Sequence, residues 1–275
     1  MMNNDFVKLV HTEYEKIRNG ESCFYIGEGN PDADILIIGN ECARNDNGEE
    51  VAAYNVQKWK ELLDRKYNVE DIGSELKDYK GAPGNDEYYP LFPWFGQKCI
   101  VRSRDGKRGP DGTARTWVQY QKLIDAVYGR RFCRDNFVDF HLYAFHTELS
   151  QIPRMRSGKK NDETAASIHW RLEQLFRQPF FQQFPVVVIA AGHYLRDYVF
   201  VEDKDKIINT FNVEYDGNCG DETEWINIHS SCADDAPDLL VHTRHFAGAI
   251  SDGYIEKIAR HIRGVLSSCR KDQPG

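Results

Sequence analysis

Four apolar residues, Ile35 to Ile38, run directly into Gly39, Asn40 and Glu41. An amide and a carboxylate at the end of an apolar strand can orient a water molecule or stabilise developing positive charge. The same three residues also suit a solvated turn. Cys42, beside Glu41, is a candidate nucleophile, but spacing fixes no histidine partner for it. Three further apolar runs end in polar groups: His146, Thr147 and Glu148; Gly192 and His193; Arg244 and His245. His193 equally suits the first turn of a helix. His242 and His245 have H-x-x-H spacing, but on a strand these side chains point to opposite faces, which disfavours a metal pair. Neither G-x-x-x-x-G-K-[ST] nor G-x-G-x-x-G occurs, so no phosphate-cradling glycine loop is expected. Basic residues gather in two stretches: Lys98, Arg102, Arg104, Lys107, Arg108 and Arg115, then Arg154, Arg156, Lys159 and Lys160. They are either solvated loops or phosphate contacts beside a cleft.

The elements that must position these groups follow from periodicity. Phe6, Leu9, Val10 and Tyr14 predict a helix over 5–18, closed by Asn19-Gly20. A strand is expected from Asp34 to Gly39, and a helix over 55–66 with Val56, Trp59, Leu62 and Leu63 as its stripe. The stretch from about 72 to 112 is long, irregular and rich in Gly, Pro and aromatic residues, as functional loops are. A helix over 113–128 ends at Gly129, a strand fits 138–146, and a helix fits about 162–178. The β-branched run PVVVIAAG at 185–192 reads as a central parallel strand. Alternating segments within 207–229 suggest an excursion hairpin, before a fourth strand over 239–245 and a helix over 252–267. Strands alternating with helices imply a mostly parallel sheet with its carboxyl ends, and any ligand, on one edge.

The chain has 275 residues, 41% hydrophobic and 28% charged, within the range of one α/β domain. No stretch reaches the roughly 18 apolar residues of a membrane span, and the first residues lack a secretory pattern, so a cytoplasmic location is expected. Seven dispersed cysteines without a C-x-x-C pair predict reduced thiols. The formal net charge of -8 argues against a protein that coats nucleic acid, while leaving room for a local basic groove.

The lead-in and strand GEGNPDADILIIGNE resemble the first motif region of the uracil-DNA glycosylase superfamily, nearest its family-4-like branch. PVVVIAAGHYL is similar to that family's central strand and helix entry, and LLVHTRHFAGAIS to its last strand and histidine loop. PWFGQ and GTARTWVQYQKLI resemble its aromatic loop and the following helix; the likeness spans about residues 20 to 266. It implies a three-layer α/β/α sandwich around a central, mostly parallel four-stranded sheet. Residues 1–275 would form a single domain, with an enlarged insertion at about 65–112 and a frayed tail at 269–275.

The resemblance also implies hydrolysis of the N-glycosidic bond of a base flipped out of DNA. Asn40, Glu41 and His245 would be catalytic, the first two ordering water and stabilising the sugar cation, the third stabilising the departing base. Phe95, with Phe92 and Trp94 as alternatives, would stack on the base. His146 stands nearest the family's base-reading Asn, with His193 at the same edge. Arg154, Arg156 and Arg244 would meet phosphate. The family's Pro-Gly and Pro-Ser pairs are replaced by Cys42-Ala43 and Phe246-Ala247, and its iron–sulfur cysteines are missing, so no cofactor or metal is assigned. The expected partner is single- or double-stranded DNA carrying uracil or a damaged base. An alternative keeps the fold and uses the cleft to bind a nucleotide-like ligand or a protein without cleavage. A different enzyme on an ordinary Rossmann-like sheet is the third reading.

Overall fold

The computed structural model describes residues 2–42, 47–65, 88–94, 96–101, 112–154, 161–195, 205–233, 236–248 and 250–269. Helix α1, Asn4–Arg18, starts where the Asn3 side chain accepts from the Asp5 and Phe6 amides, and it buries Phe6, Leu9 and Val10. Strands β1, Glu28–Gly29, and β2, Ile35–Gly39, follow. Helix α2, Gly48–Asp64, begins well before the expected residue 55, because Asn47 caps it and Glu49 and Glu50 occupy its first turn. Strands β3, Lys98–Val101, and β4, Gly112–Thr113, pair with each other inside the expected insertion. Helix α3, Arg115–Val127, runs to the left-handed Gly129.

The strand expected over 138–146 is shorter and shifted. Residues Phe140–Leu142 form a 3-10 turn, and β5 spans Phe145–Glu148. The Gln121 side chain causes the bend by accepting from the Asp139 and Phe140 amides at 2.8 and 2.9 Å. The shift puts His146 inside the strand and Glu148 at its end. Helix α4, Asp162–Trp170, widens into a π turn, Arg171–Leu175, before the short α5, Pro179–Gln182. Strand β6, Val186–Ile189, leads to α6, His193–Leu195. Helix α7, Asp205–Phe211, precedes the hairpin of β7, Val213–Asn218, and β8, Ile226–Ser231; β9, Leu239–Thr243, and α8, Asp252–Cys269, complete the described chain.

The four-stranded, mostly parallel sheet expected from sequence is, among the described residues, a mixed sheet of seven strands in the order β1-β5-β2-β6-β9-β8-β7. Its centre, β5-β2-β6-β9, is parallel; β2, β6 and β9 fall on the expected apolar runs, and β5 follows the shifted one. The additions are antiparallel: β1 on β5 at one edge, β8 and β7 beyond β9 at the other. Alternation along β2 sends Leu36 and Ile38 into the apolar layer containing Phe6, Trp59 and Val187. Ile35 and Ile37 enter the opposite layer with Leu123, Val188 and Ile258. Each such fully buried aliphatic side chain stabilises the fold by about 1.5–3 kcal/mol. Helices thus cover both faces, and the carboxyl ends of β2, β5, β6 and β9 share one edge. No described helix is long and apolar enough to cross a membrane.

Candidate active site

At that edge lies a cleft of about 490 Å3, and Asn40, Glu41, Trp94, Arg154 and His245 all line it. Backbone bonds place the first two. The Leu149 amide bonds to the Gly39 carbonyl and the Ser150 amide to the Asn40 carbonyl, both at 2.8 Å, extending the β2–β5 ladder past the strand. Asn40 is buried, and its Oδ1 has no hydrogen-bond partner among the described residues. Glu41 accepts from the Tyr194 hydroxyl at 3.1 Å.

His245 is held from across the sheet edge. Gly192, at φ +59°, packs on it so closely that a Cβ there would lie 3.0 Å from the His245 amide nitrogen. Only a glycine combines that backbone conformation with that approach. Burial lowers the His245 pKa to about 4, so its imidazole is neutral at pH 7 and can donate from one nitrogen. Phe246, which follows, turns inward onto the Tyr120 ring at 5.5 Å, leaving Ala247 in the cleft wall.

The lead-in contributes a residue that the sequence reading left without a role. Gly27 and Gly29 have φ of 129° and 101° and press on the β5 backbone, where a Cβ would meet the His146 and Ala144 carbonyl oxygens at 2.3 and 2.5 Å. Between them Glu28 pairs directly with His146 across the strands and lines the cleft. Helix α2 clamps this segment: Asn55 accepts from the Ile26 and Gly27 amides, and both Asn55 and the Trp59 indole donate to the Gly27 carbonyl. Glu28 accepts from the Tyr88 hydroxyl at 3.1 Å and the Trp94 indole at 3.2 Å. Burial opposes its charge, but the neighbouring His146 and His141 imidazoles and the Trp94 indole bond outweigh it and hold the pKa below the ordinary value.

Glu148, at the end of β5 opposite Gly39, is the second such residue. Burial pushes its pKa up to about 7; His146 and Arg171 oppose that rise, while Glu41 and Glu28 add to it. Its backbone carbonyl accepts from Arg171 Nε at 2.9 Å. That fully buried guanidinium also donates to the Tyr25 carbonyl, Gln151 Oε1 and Thr147 Oγ1, tying the lead-in to β5.

The other anticipated residues separate. His146 is buried behind the cleft lining, 3.6 Å from Glu28 and 3.7 Å from Glu148, with the Trp117 ring edge-on at 4.8 Å. It sits between the two carboxylates and does not reach the cleft surface. Phe92 is buried in the apolar layer beside Tyr89, leaving Trp94 as the one of the three anticipated stacking residues that is described and lines the cleft, where Tyr88 of the same loop joins it. Arg244 is partly exposed, and its amide bonds the Tyr254 hydroxyl. Phe95, Arg156 and the His193 side chain lie outside the described residues. Of the described basic residues Lys98, Arg115 and Arg154, it is Arg154 that lines the cleft. Among the described residues no group of three or more His, Cys, Asp and Glu is arranged to hold a metal ion.

No protein-family model matches the chain, and no curated protein matches it. The functional reading therefore rests on the cleft itself.

Proposed function

We propose that the strand-end cleft binds a nucleobase flipped out of DNA and hydrolyses its N-glycosidic bond, as a divergent uracil-DNA-glycosylase-like enzyme would. The observation that carries this reading is the convergence of Asn40, Glu41, Trp94 and His245 on one cleft, with Arg154 in its lining. Cleavage leaves positive charge on the sugar and negative charge on the base. Glu41, with Asn40 beside it, orients water and stabilises the sugar cation. The neutral His245 imidazole donates to the oxygen on which the base gathers charge, where a preorganised donor contributes most. Trp94, its ring fixed by the indole bond to Glu28, offers a stacking face.

A second reading has its own supporting observation. Glu28, Glu41 and Glu148 share the cleft in a chain of net charge -8, which suits a small nucleotide-like ligand better than a polyanion. Incubation with single- and double-stranded oligonucleotides carrying uracil, xanthine, hypoxanthine or oxidised guanine, followed by alkali, separates the two. Strand scission at any modified position supports hydrolysis; no release from any of them sinks it.

A further inference from the structure

Beside Asn40, the cleft carries two buried polar side chains, Glu148 and Tyr120, that the reaction above does not use. A Cβ on Gly39 would lie 2.3 Å from Glu148 Oε2 and 3.1 Å from the Tyr120 hydroxyl, so the two groups converge over a glycine that makes room for them. Among the described residues neither atom has a hydrogen-bond partner, and neither does Oδ1 of the adjoining Asn40. These residues are 5%, 0% and 4% exposed, and all line the cleft. An unsatisfied buried polar atom typically costs about 1–3 kcal/mol, and three side by side mark a place that a ligand completes. The carboxylate and the amide oxygen accept, and the hydroxyl can do either. What is missing from the floor is therefore a set of donors.

On the reading that this cleft holds a base, we propose that its floor selects one presenting two adjacent N–H donors, as the ring N–H and exocyclic amine of a 2-amino-6-oxopurine do, with Glu148 accepting both. A carboxylate has two acceptor oxygens and matches that edge in a paired arrangement. Uracil offers a single N–H between two carbonyl acceptors, so one carboxylate oxygen would face a carbonyl. Hypoxanthine keeps the ring N–H but lacks the amine. A site built around hydrogen bonds rejects a partner that leaves its polar groups unpaired far more strongly than an apolar pocket does.

The groups facing Glu148 bear on its charge. His146 on its own strand and Arg171 from the π turn favour the ionised form, while Glu28 from β1 and Glu41 beyond β2 disfavour it. Tyr25 and Tyr120 both stay neutral, their pKa values raised first by burial. A bound donor edge adds to the first set, so binding near pH 7 releases protons from Glu148.

The test is calorimetric titration of the full chain with guanosine, inosine and uridine at pH 8. Guanosine is expected to bind at least about tenfold more tightly than inosine, with uridine weakest, as the loss of a bond to a charged acceptor implies. Glu148→Gln should erase the guanosine–inosine gap and bring uridine up, because a carboxamide supplies the donor that a uracil carbonyl needs. Equal affinities of the wild-type protein for guanosine and inosine, or no binding of either, overturn the proposal, and no variant needs to fold for that comparison. The hydrolase reading fails separately. Guanosine preference without base release from any oligonucleotide keeps the selection and removes the hydrolysis; uracil release without guanosine binding does the reverse. Release of oxidised guanine from an oligonucleotide assigns the donor edge to a base in DNA, and preferential binding of guanosine alone assigns it to a free nucleoside.

Discussion

Glu148 and His245 line the same cleft, and burial drives each toward its neutral form, up to about 7 for the acid and down to about 4 for the base. Their effects on stability have opposite signs. Between the ordinary carboxyl value of 4.5 and about 7, Glu148 keeps in the folded state a proton that the unfolded chain has released, so its contribution falls as pH rises through that window. Glu148→Gln should therefore exceed the wild type in stability at pH 8 by on the order of 1–3 kcal/mol, with the gap closing by pH 5. Urea midpoints at the two pH values measure it. His245 binds its proton below about 4 when folded and near 6.5 when unfolded, so its contribution is complete above 6.5 and lost as pH falls toward 4. His245→Asn should lose less stability than the wild type between pH 6.5 and 4 in the same measurement. Asn40, Glu41 and His245 were legible because each lies just past the end of a strand marked by an apolar run. Glu148 stood out only as one of three polar residues after an apolar run, and the misplaced strand over 138–146 drew the base-reading role to His146 instead. Glu28 was hidden by a two-residue strand whose entry depends on two glycines at positive φ. Phe92 shares its loop with Trp94, and composition alone does not separate a core ring from a cleft ring.

At the scale of elements, the site depends on two ties that no pattern announces. The Asn55 and Trp59 side chains hold the lead-in against α2, and Arg171 spans the lead-in, β5 and the segment after it. Arg171→Met removes four donated bonds and leaves their acceptors buried. It should cost about 3 kcal/mol or more, read as a lower denaturant midpoint, and Lys should not rescue it, since an ammonium has neither the reach nor the planar fork. Of the four central strands, β2, β6 and β9 were legible as apolar runs bounded by turn residues, β5 was expected too early in the chain, and their parallel pairing follows from the helices between them. The antiparallel additions were not. A two-residue strand carries no periodicity, and the β7–β8 hairpin read as an excursion because its outer strand is mostly exposed. Helix α2 was cut short for a different reason: its first two turns lack the apolar stripe and are secured by the Asn47 cap.

For the whole molecule, the balance of charge limits how it meets DNA. A chain of net charge -8 with Arg154 as a described cation in the cleft should make few phosphate contacts. Affinity for a non-specific duplex should be weak and fall only shallowly with salt, and Arg154→Ala should flatten the log–log slope by about one. Fluorescence anisotropy across a salt series reads both. The fold brings the groups at the ends of β2 and β9 together with an aromatic from the loop before β3, and the central claim is that this constellation does chemistry. Single-turnover release of a modified base, compared among the wild type, Glu41→Gln and His245→Ala at matched thermal stability, tests it most directly. The wild type is expected to release the base, and each variant to fall by about 10²–10³ in rate. Unchanged rates in both variants, or no release by the wild type, would contradict it.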